Sequence, residues 1–169
     1  MKKLLLLLLI SSSAAFAQEK NQPTQRFAIT GDVEKESVIT LDSLKQYTVK
    51  PIGDVKVTDH TGAFKHQDDA LKGVLLKDVL SHTKFKTTSP KLLSRFYFVC
   101  TGADGYKVVY SWNEIYNTVV GDHVFIIMEK NGVKIEKMPE SIQMTSANDF
   151  KTGRRYLHNL DKIVVAQVQ

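Results

Sequence analysis

The chain has 169 residues, 43% of them apolar and 24% charged. That suits one globular domain and excludes a disordered polyelectrolyte or a coiled coil. A single cysteine excludes an internal disulfide framework and any site built from several thiolates. The formal charge of +5 comes from lysines spread along the chain without a basic run, a pattern unlike that of a nucleic-acid binder.

The first 17 residues read as a cleaved secretory leader. Lys2 and Lys3 give a positive start, Leu4 to Ile10 an apolar run, and Ala15-Phe16-Ala17 the small-x-small cleavage pattern. The apolar run is far shorter than the roughly 20 residues that cross a bilayer. No cysteine follows the cleavage point, so a lipoprotein anchor is not expected, nor is any later membrane span. Removing 17 of 169 residues leaves 152, with a formal charge of +3 because two lysines go with the leader. The expected location is periplasmic or secreted, and residues 18–26 are expected to form a polar tether.

From Phe27 the pattern is one of strands. Phe27 to Thr30 and Val38 to Thr40 come first, then a short helix from Leu41 capped by Asp42 or Ser43. Val55 to Thr58 alternates as a strand, and Asp59-His60-Thr61-Gly62 reads as a turn. Val74 to Leu80 has helical apolar spacing, with Gly73 in the turn before it. Phe96 to Cys100 is apolar without alternation, which predicts a strand covered on both faces. Asp104-Gly105 predicts a hairpin returning through Tyr106 to Tyr110, and Ser111-Trp112-Asn113-Glu114 a capping box. Val124 to Met128, Ile142 to Met144 and Ile163 to Val168 complete the strands, with Asn131-Gly132 as a hairpin turn. Asp149 to Arg155 reads as a polar loop. The fold class is α+β: strand-rich mixed sheets with short helices, in a single domain over residues 27–169.

Four groups of residues could carry chemistry. Cys100 is a candidate nucleophile or metal ligand by type, yet its apolar strand suits a small buried hydrophobe. His60 and His66, with Asp59, Asp68 and Asp69, could gather a metal across a hairpin or equally suit a solvated turn. Asp104 to Tyr106, with Ser111 and Trp112 downstream, offers close backbone approach and two flat faces for stacking, or simply a tight hairpin and a capped helix. The last group is Asp149 to Tyr156. Arg154 and Arg155 beside Gly153 can present rigid donor forks, and Asp149 can accept paired N–H groups from an aminopyrimidine ring. A solvated loop with surface arginines is the alternative.

In chain order these segments resemble a known family. Leu71-Lys72-Gly73-Val74-Leu75-Leu76-Lys77-Asp78-Val79-Leu80, Ala103-Asp104-Gly105-Tyr106, and Gly153-Arg154-Arg155-Tyr156-Leu157 leading into Leu160 and Ile163 are similar to three motifs of the oxidoreductase molybdopterin-binding domain, the sulfite-oxidase-type fold. The resemblance runs from about Phe27 to Val168. It implies a cysteine that holds molybdenum in the loop before the Gly73-Val74 segment, and residues 59–72 of this chain contain none.

The resemblance therefore implies one of the small exported members that bind a free pterin, reduced or oxidised, and signal through a membrane-bound partner. Molybdenum is not expected. Such a site would draw a stacking face from Tyr106, Trp112 or Tyr156, a carboxylate from Asp149, and donors from Arg154 and Arg155. Asp104, Ser111 and Gly153 would complete it through their loops. The alternative is a molybdopterin-dependent oxidoreductase with altered metal ligation.

Overall fold

The computed structural model describes residues 23–169; the expected leader, and the tether as far as residue 22, lie outside them. Strand β1 (Arg26–Gly31) already includes the last residue expected in the tether. It pairs in parallel with the closing strand β10 (Leu160–Gln167) and antiparallel with β2 (Ser37–Thr40). Beyond β10 come β5 (Phe96–Gly102) and β6 (Lys107–Ser111), so the first sheet runs β2-β1-β10-β5-β6. The second sheet runs β3 (Lys50–Thr58), β4 (Phe64–Leu75), β7 (Val124–Lys130) and β8 (Val133–Lys134), with β9 (Met144–Ser146) also on β7. Three short helices, α1 (Leu41–Leu44), α2 (Leu76–Leu80) and α3 (Trp112–Tyr116), sit at strand ends. The architecture is a strand-rich α+β domain.

The main core gathers inward residues of both sheets. Phe27, Ile29, Phe98, Ile163 and Val165 come from the first, and Val74, Val124 and Ile126 from the second, with Leu80 and Ile115 from the helices. A smaller apolar cluster of Val55, Val57, Leu71, Ile127 and Tyr156 lies apart from it. Successive residues of β7 thus serve two clusters, Ile126 one and Ile127 the other, as the period of a strand requires.

Several expectations are corrected. The run Val74 to Leu80 is not all helix: Val74 and Leu75 end β4, and Gly73 lies within that strand rather than in a turn. The reason is the closeness of β7, because a Cβ on Gly73 would stand 2.6 Å from the Ile126 carbonyl oxygen. Helix α1 is capped by Thr40, whose hydroxyl accepts from the Ser43 N–H at 3.1 Å, and not by Asp42 or Ser43. Strand β5 does alternate in burial: Phe96, Phe98 and Cys100 are in the core while Tyr97 and Val99 are half-buried. Tyr106 precedes β6 instead of opening it, and the strand expected around Ile142 begins at Met144. The expected capping box is present, with Ser111 and Glu114 each satisfying the other's backbone N–H.

Candidate functional site

Three loops meet at one end of β3. The turn between β3 and β4 is wound around Asp59. One of its carboxylate oxygens accepts from the Thr61 hydroxyl (2.6 Å) and from the N–H groups of Thr61 (2.8 Å), Gly62 (2.9 Å) and Ala63 (3.0 Å). These bonds, the Thr61 hydroxyl foremost, hold the Asp59 carboxyl at a pKa of about 2, so it is ionised at any ordinary pH.

The second loop is a 3₁₀ turn over Thr152–Arg155 inside the segment expected to be irregular. The Thr152 hydroxyl donates to the Lys56 carbonyl at 2.7 Å and accepts from the Thr58 N–H at 3.2 Å, which fastens this turn to the edge of β3. Gly153 lies flush against the Thr58 carbonyl. Arg154 then reaches over the Asp59 turn and donates from Nε (3.2 Å) and one terminal nitrogen (3.0 Å) to the His60 carbonyl.

The third loop is the Asp104-Gly105 hairpin. Asp104 accepts from the Tyr106 N–H at 2.9 Å, Gly105 has φ of 84°, and the Tyr106 hydroxyl donates to the Arg154 carbonyl at 2.7 Å. Tyr106 as a whole is 44% exposed.

Between the first two loops is a cleft of about 220 Å³ lined by Asp59, His60, Lys65, His66, Gly153, Tyr156 and His158, with Val57 and Thr58 at its base. Its wall is built on Tyr156, which is buried. The Tyr156 hydroxyl donates to the buried Asp68 carboxylate at 2.7 Å, the His158 ring packs on its ring at a centroid distance of 5.0 Å, and the Lys130 ammonium lies 5.5 Å from its centroid. Burial, then the Asp68 contact, push the phenol above its ordinary pKa. His66 and Asp68 approach to 3.6 Å. Among the described residues no three His, Cys, Asp or Glu side chains are gathered as metal ligands.

The remaining expected site residues form a separate cluster. Arg155 is turned inward. It donates to both oxygens of Asp149 (2.7 and 2.6 Å) and to Glu114 (3.0 Å), and its guanidinium lies 4.6 Å from the centroid of the Tyr110 ring. Asp149 also accepts from the Ser146 hydroxyl at 2.8 Å. The Asp149 bond raises the Arg155 pKa above its usual value. Ser111 is engaged in the α3 cap, and the Trp112 ring stacks on Tyr116 at 5.2 Å. The structure thus puts Gly153 and Tyr156 on the cleft wall, Arg154 beside it through the His60 carbonyl and Tyr106 next to Arg154, while Asp104 closes its own hairpin. The structure commits Asp149, Arg155, Ser111 and Trp112 to internal contacts.

Lys65 and His158 are not among the residues expected from the sequence, where His60 and His66 figure only as metal candidates. A signal was available. His60 and His66 stand in and just after the turn that lies where the resemblance places a cofactor ligand.

Cys100 is fully buried in β5, paired in register with Ile163 of β10 and Val108 of β6. Burial pushes its thiol up to about 12. At pH 8 about one molecule in ten thousand would carry a thiolate. A water-soluble disulfide reagent should therefore leave the native protein unmodified and label it fully in denaturant. Immediate stoichiometric labelling of native protein would place the thiol at the surface instead.

No protein-family model matches the chain, and no curated protein matches it in sequence. Among solved structures it is similar to the sulfane dehydrogenase SoxCD from Paracoccus pantotrophus. The TM-score is 0.57 at 15% sequence identity, over 83% of this chain and 37% of that one. The chain therefore spans little more than a third of that neighbour. The likeness carries the fold alone: a strand-rich α+β domain that folds like part of that dehydrogenase.

Proposed function

We propose that this protein is an exported pterin-binding module that performs no redox chemistry and signals through a membrane-bound partner. One observation carries the reading. The Gly153-Arg154-Arg155-Tyr156 element closes onto the Asp59–His66 segment and leaves a polar cleft, and no thiol lies in that segment or anywhere on the cleft wall. The distant fold likeness supports it.

The residues present suit the ring of a pterin. Arg154 keeps N–H groups beyond the two spent on His60, and Lys65 adds an ammonium; both can donate to an oxo group. Asp59 is a permanent anion whose second oxygen has no hydrogen bond among the described residues, so it can accept from an aminopyrimidine edge. Tyr106 offers a partly exposed aromatic side chain, and the rings of His60, His66 and His158 supply further donors and acceptors. At about 220 Å³ the cleft is smaller than the roughly 300–1,000 Å³ of sites that enclose drug-sized ligands. It would grip one edge of a bicycle and leave the rest against Tyr106. Trp112, Asp149 and Arg155 are not in this set.

Titration with reduced and oxidised pterins, read by fluorescence or native mass spectrometry, tests the proposal. Wild-type protein should bind one of them in the micromolar range. Arg154→Ala should weaken binding about tenfold, the loss of one charge-assisted hydrogen bond, with an unchanged melting temperature. Absence of micromolar binding would overturn the reading. The structural neighbour is a dehydrogenase, which motivates a second reading, a molybdopterin oxidoreductase with altered ligation. Stoichiometric molybdenum in protein made in a molybdenum-competent host would establish it.

A further inference from the structure

Phe150 is the most exposed large apolar side chain among the described residues, at 102% of its reference area. It is not on a loose loop. Asp149 before it is bonded to Ser146 and Arg155, and Thr152 two residues later is bonded to β3. The stem of Lys151 between them lies over Gly62. A phenylalanine held between two anchors and fully solvated forgoes the burial that such side chains normally gain.

Its surroundings are apolar and cationic. A shallow groove on one side, about 590 Å³, holds Val120, Lys151, Arg154 and Arg155, and the adjoining Val119 is 75% exposed. The groove on the other side holds Lys56 and Asp54. Arg155 is shared by Asp149 and Glu114, so Lys56, Lys151, Arg154 and Arg155 against Asp54, Asp149 and Glu114 leave a small net positive charge. That charge disfavours a second copy of the same surface. Arg155 is spent on Asp149 and Glu114, and Arg154 is turned toward His60, so on this face both act mainly as charges. A surface that combines a protruding aromatic, neighbouring valines and diffuse positive charge matches the edge of an anionic bilayer better than a structured protein pocket.

The geometry points to Phe150 as an interfacial anchor that seats this face on an anionic lipid surface, without spanning it. The inference stands apart from the ligand reading, since Phe150 does not line the pterin cleft. Vesicle co-sedimentation of the chain from Gln18 onward tests it, leaving out the apolar leader. Phosphatidylcholine vesicles with about 30% phosphatidylglycerol should retain the protein, and pure phosphatidylcholine should not.

Phe150→Asp should lower the partition coefficient about tenfold or more. Lys151→Glu and added salt should each weaken binding. Val109→Asp, which places the same charge on exposed β6, should have no effect, and Phe150→Asp should keep its affinity for any pterin the wild type binds. Failure to bind anionic vesicles would overturn the inference, as would equal binding by Phe150→Asp. A dimer that Phe150→Asp dissociates, with no vesicle binding, would overturn it in favour of self-association.

Discussion

Arg155→Ala should lower the melting temperature by about 6–12 °C, whereas Arg154→Ala, one residue away, should leave it within about 1 °C. Arg155 is four-fifths shielded and bridges two carboxylates that belong to different parts of the chain, Asp149 and Glu114. Truncating it leaves Asp149 only Ser146 and Glu114 only the α3 cap, and removes the cation from the face of Tyr110, whose hydroxyl has no hydrogen-bond partner among the described residues. Breaking a shielded ion pair by deleting one partner costs about 3–5 kcal/mol, and the lower end suits a group in partial contact with water. At roughly 2–4 °C per kcal/mol for a domain of this size, that gives the expected shift. Adding Asp149→Ala should cost little more, because its partner is already gone. Arg154 is exposed and bonds only a surface carbonyl. If Arg155→Ala melts like wild type, the Arg155–Asp149 pair is not formed in solution and both groups are free to meet a ligand.

This division between neighbouring arginines marks the limit of what the sequence could tell. Gly153-Arg154-Arg155-Tyr156 stood out in the sequence as a segment that could present donor forks, and the structure shows it bonded to the Asp104-Gly105 hairpin through Tyr106. Which arginine faces outward was not legible. It depends on a 3₁₀ turn and on Glu114, which lies 41 residues from Arg155. Ser111 and Trp112 were legible as a helix start because a capping box is a local signal, and that local role is the one they perform.

Strand β4 shows the opposite case. Phe64 to Asp69 has no apolar alternation, so no period announces a strand. Pairing with β3 holds it extended, with Val57 opposite His66 and Val55 opposite Asp68. The ambiguity over Val74 to Leu80 has another origin: a short fully buried run reads alike as strand or helix. The close approach of β7 to Gly73 decides it. Of the strands legible in the sequence, β1, β5, β6, β7 and β10 send inward residues into the main core, while the legible end of β3 packs into the smaller cluster.

The residue most sensitive to change in the cleft should be Gly153. A Cβ there would lie inside the van der Waals radius of the Thr58 carbonyl oxygen, with the Thr58 carbonyl carbon 3.0 Å away. Both are backbone atoms of an edge strand, so no side chain can swing aside. Gly153→Ala must therefore push the 3₁₀ turn off β3. Overpacking of this kind costs about 1–3 kcal/mol. The displacement also strains the two Thr152 bonds to Lys56 and Thr58, each worth about 1 kcal/mol, and carries Arg154 away from His60. We expect a total loss of about 2–5 kcal/mol, and a pterin affinity that falls further than in Arg154→Ala because the whole wall of the cleft moves. Thr152→Val separates the contributions. It removes the hydroxyl bridge without adding bulk at the contact, and should cost stability but retain part of the binding. Denaturant unfolding beside ligand titration reads both quantities. A Gly153→Ala protein of wild-type stability and affinity would mean that the turn does not rest on β3, and the cleft would lose the wall on which its chemistry depends.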